Sequence, residues 1–176
     1  LEMQMDAATL ITALLHDTVE DTDATLDDIS KQFGDEVSKL VDGVTKLTRI
    51  ELQSLETKQA ENFRKLVLAM SEDIRVLIVK LADRTHNVGT LHHISKPHKR
   101  RRIASETLEI FAPLAERIGI HTIKERLEDS SFEHLQPEAR ASILKRLSFL
   151  KSEGQDVGKN ILNILGSDKK DASIDA

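Results

Sequence analysis

An all-α fold is what this sequence predicts, and three observations carry the prediction. Apolar residues recur every three or four positions in one segment after another. Residues that start and stop helices punctuate those segments at suitable distances. The one stretch that also suits a buried strand, "RVLIVKLAD" (75–83), has no second strand candidate to pair with, so it too reads as helix. The expected architecture is a helical bundle with a C-terminal helical extension.

Asp6 can cap a first helix in which Ala7, Leu10, Ile11, Leu14 and Leu15 fall at helical spacing. The β-branched pair Thr18 and Val19 loosens it. Thr25 with Asp28 resembles a capping box, and Gly34 stops the short helix that follows. Val37, Leu40, Val41, Val44 and Leu47 mark the next helix, which Gly43 weakens by up to ~1 kcal/mol. From Lys58 to about Leu91 the pattern is strongly helical, and Ser71, with Glu72 and Asp73 behind it, divides the stretch in two. Leu66, Ala69, Met70, Ile74, Leu77, Ile78 and Leu81 are its core stripes. Pro97 suits the first turn of a helix that runs to Gly119 and bends near Pro113. Residues 121–134 form a shorter helix, and Pro137 opens a long last one ending near Gly166. Its Leu144, Leu147, Leu150, Ile161, Leu162 and Leu165 either pack on the preceding body or form an interaction surface.

The chain has 176 residues, enough for one domain with its own core plus a helical extension. No run of ~18 apolar residues is present, so no membrane partner is expected. The start, "LEMQMDAATL", lacks the basic region of a signal peptide, and the expected location is cytoplasmic. Cysteine is absent, which excludes disulfides and thiolate metal sites. A net charge of −5 and the absence of Trp and Tyr argue against direct nucleic-acid binding.

Chemistry concentrates in "ALLHDTVEDT" (13–22). One imidazole, His16, and three carboxylates, Asp17, Glu20 and Asp21, lie within two helical turns. Were the helix to continue, His16 would share a face with Glu20, and Asp17 with Asp21. A second group lies in "KLADRTHN", where Asp83 and Asn87 stand four apart at the end of an apolar run. An imidazole with two carboxylates suits Mn²⁺, Zn²⁺ or Fe²⁺. The remaining carboxylates could take a proton from water or orient it, which is the chemistry of metal-assisted phosphoester hydrolysis. The plainer alternative is a solvated acidic turn at Glu20, Asp21 and Asp23, with Asp83 paired to Lys80 or Arg84. For the dense basic run "KPHKRRR" (96–102) the choice is between a phosphate or nucleic-acid patch and a solvated helix start with Arg102 paired to Glu106. His86, His92 and His93 read as polar surface groups, although His92 or His93 could serve as a ligand, and His98, His121 and His134 as exposed.

The blocks "ALLHDTVEDT", "DGVTKLTRI", "AENFRKLVLAMSEDIRVLIVKLADRTHN" and "KRRRIASETLEIFAPLAERIGI" resemble the hydrolase domain of Rel/SpoT-type stringent-response enzymes, a branch of the HD phosphohydrolase superfamily. The likeness runs from about residue 1 to 165. It implies a manganese-dependent enzyme that removes the 3′-pyrophosphate of (p)ppGpp, giving GDP or GTP and pyrophosphate. By the same resemblance His16, Asp17 and Asp83 are metal ligands and Glu20 and Asp21 activate water. Asn87 and Thr90 lie near the nucleotide, with Arg84 beside them as a substrate-side or structural residue. It further implies a fourth ligand, a His, upstream of Leu1, and therefore an N-terminally truncated domain with weakened metal binding. Gly89 stands where the family often has a larger, frequently basic residue. Residues 1–125 then correspond to the hydrolase, and 126–176 to a helical linker toward a synthetase domain of the same polypeptide, with any ribosome contact made by regions C-terminal to both. Two alternatives stand beside this reading: a catalytically silent regulatory or interaction module on the same fold, and an HD hydrolase of another nucleotide.

Overall fold

The computed structural model describes residues 4–53, 73–152 and 154, and every regular element among them is helical. In order these are α1 (Ala7–Leu15), α2 (Thr18–Asp21), α3 (Leu26–Phe33), α4 (Asp35–Gln53), α5 (Ile74–Gly89), α6 (Pro97–Glu106), α7 (Ala112–Arg117) and α8 (His121–Leu135). A 3₁₀ turn spans Leu91–His93 and a π-helical turn spans Thr107–Phe111. Residues 137–152 are also helical. The chain divides into two compact units, Leu1–Ser131 and Phe132–Ala176.

The caps form where the side chains dictate. Asp6 accepts from the Thr9 amide at 2.7 Å and starts α1. Thr25 and Asp28 make a reciprocal capping box at α3. Pro97 occupies the first turn of α6, where its missing N–H has no intrahelical acceptor to lose. Gly119, at φ +77°, turns the chain out of α7. The start of α5 departs from expectation. Asp73, not Ser71, is its N-cap, because the Asp73 carboxylate takes the Arg75 amide at 2.9 Å and its guanidinium at 2.7 Å. The expected helix before Ser71, with Leu66, Ala69 and Met70, and the end near Gly166 lie outside the described residues.

The core of the first unit is built on α4 and α5. Val37, Leu40, Val41, Val44 and Leu47 are all buried, as the α4 stripe predicts. Gly43 has a positive role there: a Cβ on it would stand 2.8 Å from Val76 Cγ2, so its bare backbone lets α5 approach. On α5, Leu77 and Leu81 are buried, but Ile74 is 49% exposed and the inner face passes instead through Val76, Val79, Lys80 and Arg84.

The inner face of α1 also differs from the expected stripe. Leu10 and Leu14 are exposed, while Thr9 and Thr12 are buried. Ala8, Ile11 and Leu15 pack against Ile29, Val37 and Val41. A threonine fits this crowded face because the Thr12 hydroxyl returns to the Ala8 carbonyl at 2.8 Å, so its burial leaves no polar atom unpaired.

The long helix expected from Pro97 to Gly119 is interrupted before Pro113. The Ala112 amide donates to the Thr107 carbonyl, five residues back, and this makes the turn π-helical. Pro113 supplies no amide to the segment, which relaxes the demand for α spacing just upstream. Thr107, Ile110 and Phe111 from this turn are buried.

Candidate active site

Helix α1 ends at Leu15, and His16 and Asp17 form a two-residue junction before α2. The junction carries the chemistry. The His16 Nδ1 lies 2.9 Å from the Ala13 carbonyl, which can only accept, so in the neutral ring Nδ1 carries the proton and Nε2 a bare lone pair. That Nε2 is buried and makes no hydrogen bond. It stands 3.0 Å from Asp17 Oδ2 and 3.6 Å from Asp83 Oδ1. A lone pair facing two carboxylates is repulsive until something positive lies between them.

Asp83 is brought there by α5 and held on both oxygens. Asn87, one turn further, donates from Nδ2 to Oδ1 at 2.8 Å. Lys80, one turn earlier, donates from Nζ to Oδ2 at 3.2 Å and to Thr48 Oγ1 of α4 at 3.1 Å. The Lys80 partner was one of the plainer alternatives for Asp83, and it is realised together with the His16 contact.

Among the described residues, no three His, Asp or Glu side chains enclose a cation as they stand. The donor set fits a divalent metal nonetheless: one imidazole nitrogen with its lone pair unengaged, two carboxylates beside it, and a ring fixed from behind by a backbone carbonyl in the way metal-bound histidines are held.

Glu20 and Asp21 occupy the single turn α2 and are exposed. Their amides close onto the Asp17 carbonyl at 3.0 and 2.9 Å, so the break at the junction is followed at once by a new turn. Helix α1 does not run through into α2, so the continuous helix on which His16 would share a face with Glu20, and Asp17 with Asp21, does not form.

Residues 1–121 match the family model described as HD domain. The chain belongs to the HD domain family. Within it, this HD domain is 48% identical to a GTP pyrophosphokinase of Myxococcus xanthus over 169 residues, which are 94% of this chain and 22% of that protein. It is 46% identical over 173 residues to the bifunctional (p)ppGpp synthase/hydrolase SpoT of Escherichia coli K12, covering 98% of this chain and 24% of that protein. A guanosine-3′,5′-bis(diphosphate) 3′-pyrophosphohydrolase of Vibrio cholerae is 54% identical over 146 residues, 83% of this chain and 20% of its own length. The chain thus spans about a quarter or less of the curated relatives it matches. Membership of HD hydrolases implies dependence on a divalent metal.

Next to the metal-type donors the HD domain has a cavity of about 340 Å³, lined by Arg84, Asn87, Thr90, His93 and Lys99 among others. All three residues expected on the substrate side therefore share one cavity. Asn87 lies on its wall while bonding Asp83, so cavity and ligand group are continuous. Thr90 closes the end of α5 by donating to the His86 and Asn87 carbonyls. Arg84 is buried and its guanidinium is committed: Nε donates to Thr107 Oγ1 at 2.8 Å, a terminal nitrogen reaches Glu106 at 2.8 Å, and the group stacks over Phe111 at 4.4 Å. It braces α5 against the π turn.

Glu106 is accordingly not the partner of Arg102, and the expected i,i+4 pair is replaced by Arg84–Glu106. His92 and His93 are exposed with their rings 4.0 Å apart. His134 is half-buried rather than exposed. Lys99 was not singled out from the basic run, although its position three residues after Lys96 and two after Pro97 puts it on the first turn of α6, beside the cavity.

Proposed function

We propose that this HD domain hydrolyses the 3′-pyrophosphate of (p)ppGpp to GDP or GTP and pyrophosphate, with Mn²⁺ as its metal. The reading is supported above all by the convergence of His16, Asp17 and Asp83, in a chain 46–54% identical to proteins carrying that activity in their names. His16, Asp17 and Asp83 would hold the ion. When bound, it offsets phosphate charge that the acidic cluster would otherwise repel and acidifies water.

The chain's own residues do the rest. Ala13 fixes the His16 tautomer so that Nε2 is always the coordinating atom. Asn87 and Lys80 clamp Asp83 and thereby set the direction its free lone pairs take. Glu20 or Asp21 receives the proton of the attacking water, whose oxygen bonds to phosphorus as the 3′ O–P bond breaks. The same carboxylic acid returns that proton to the departing 3′-oxygen, and pyrophosphate is released. Thr90 and Asn87 face the nucleotide, and Arg84 acts on that cavity by holding its wall. Residues 1–125 constitute the hydrolase, and 126–176 a linker toward a synthetase domain in a cytoplasmic, bifunctional polypeptide. The helical segment 137–152 supports the linker role, because Ile143, Leu144, Leu147 and Leu150 remain about half exposed on it.

The test is release of pyrophosphate from ppGpp by the 176-residue protein with Mn²⁺. Wild type should release it, and Asp83→Ala should lose at least ~100-fold, the upper range for a disturbed metal site. Release that survives in Asp83→Ala, or a wild type inert at every Mn²⁺ concentration, sinks the reading.

A further inference from the structure

Resting on the hydrolase reading and its ligand set, we propose that Lys80 is a metal-selecting residue: its ammonium, anchored by Thr48, sets one oxygen of Asp83 against the ion and biases the site away from large divalent cations such as Ca²⁺. Lys80 is only 6% exposed, between α4 and α5. A lysine in such a place is rare, and costly unless its charge is met. Lys31 and Lys46 also pair with carboxylates, but both are exposed at the surface. Lys80 instead gives its Nζ to Asp83 Oδ2 at 3.2 Å and to Thr48 Oγ1 at 3.1 Å. Thr48 is within reach because α4 and α5 close on each other at Gly43 and Val76, about one turn earlier on both helices. An apolar residue of similar length would fill this place with no charge to bury. The ammonium thus stands where packing alone does not ask for it.

The two oxygens of Asp83 are unequal as a result. Oδ1 stands 3.6 Å from His16 Nε2 and accepts from a neutral donor, the Asn87 amide. Oδ2 meets a full positive charge. Solvent screens that charge little, since the Asp83 side chain is 13% exposed and that of Lys80 8%. An ion shared between both oxygens would be forced toward the ammonium, and repulsion between the two cations rises as they approach. Asp83 therefore offers the ion Oδ1, the oxygen on the His16 side.

This restriction weighs unequally on different ions. Ca²⁺ collects about six to eight oxygens and often takes a carboxylate through both of them at once. It also prefers carboxylate and carbonyl oxygen to an imidazole. A transition ion of the Mn²⁺ or Zn²⁺ kind accepts the imidazole and needs fewer oxygens, so it loses little when Asp83 gives one. The discrimination comes from an unfavourable contact built against the wrong ion, not from a stronger contact with the right one.

Mn²⁺ binding to the 176-residue protein, followed by the electron paramagnetic resonance of free Mn²⁺ and competed with Ca²⁺, tests this without turnover. The quantity read is the ratio of the Ca²⁺ to the Mn²⁺ dissociation constant. Wild type should favour Mn²⁺. In Lys80→Met the ratio should move toward Ca²⁺ by ~10-fold or more, the scale of losing a residue that directs a metal ligand. Thr48→Val keeps the lysine and removes its anchor, so it should move the ratio the same way by less. It decides the matter if circular dichroism finds Lys80→Met unfolded. Asn87→Ala acts on the other oxygen and should weaken both ions alike. A ratio unchanged in the folded variants, or shifted as far in Asn87→Ala as in Lys80→Met, overturns the proposal and leaves Lys80 a structural clamp. So does a wild type that favours Ca²⁺. A wild type that binds neither ion removes the ligand set itself, and the proposal with it. A ratio that shifts as expected in a protein that releases no pyrophosphate with Mn²⁺ supports the role of Lys80 and refutes the hydrolase reading instead.

Discussion

At the scale of single residues, Arg84 and Asn87 sit three apart on α5 and line one cavity, yet they do different work. Asn87 is exposed and bonds a metal-type ligand, Asp83. Arg84 is buried and bonds scaffold: Thr107, Glu106, the Ile103 carbonyl and the ring of Phe111. Their substitutions should separate. Asn87→Ala should weaken Mn²⁺ binding ~10-fold or more, seen by titrating free Mn²⁺ in electron paramagnetic resonance, with little change in melting temperature. Arg84→Ala strands the Glu106 carboxylate and should cost on the order of 3 kcal/mol in urea unfolding. Equal effects of both on stability would contradict the division. The sequence showed donor-type side chains at His16, Asp17 and Asp83, and left Glu20 and Asp21 open between a solvated turn and a catalytic pair. The engagement of each was not legible there. Nothing along the chain reveals that Arg84 turns to Glu106, fully 22 residues away, or that Ala13 offers its carbonyl to the imidazole.

At the scale of elements, two glycines on neighbouring helices make opposite demands. Gly43 faces Val76, a stiff β-branched side chain in the core, and an added methyl would stand 2.8 Å from it. Gly43→Ala should therefore destabilise by roughly 1–3 kcal/mol despite the gain in helix propensity. Gly89 faces open space at the end of α5, and Gly89→Ala should stabilise by up to ~1 kcal/mol. Denaturant midpoints of the pair give the comparison, and shifts of the same sign would refute it. Caps, helix order and the α4 stripe could be read from the sequence, since capping chemistry and period are local. The α1 face could not. Leu10 and Leu14 are outward while Thr9 and Thr12 are buried, and hydrophobicity alone does not register a threonine such as Thr12 that satisfies its own hydroxyl on the Ala8 carbonyl. The π turn was anticipated only as a bend at Pro113, since the proline shows where spacing is relaxed but not how.

At the scale of the whole molecule, Arg75 ties three helices of the first unit together. It contacts Asp6 at the start of α1 at 2.9 Å, Glu36 in the first turn of α4 at 2.7 Å, and Asp73 at the start of α5 at 2.7 Å. Thr9, through its side chain and its amide, holds the Asp6 carboxyl down to about 2, and Arg75 adds to this. The Arg75 side chain likewise lowers Asp73. Both carboxyls are depressed in the folded state, so their contribution is complete above the ordinary carboxylate range and disappears as pH falls toward 2. The melting temperature should accordingly drop between about pH 4 and 2. Asp6→Asn should start lower at pH 7 and fall less over that interval. Parallel pH profiles for the two proteins would remove the interlock from the account. The π turn, finally, stores one more residue per turn than an α-helix would. Loss of a single residue from Thr107–Phe111 could be absorbed by rewinding to α spacing, with α6 and α7 keeping their facing. The segment behind Arg84 is thus a place where the chain can give up one residue while the helices on either side of the turn keep their register.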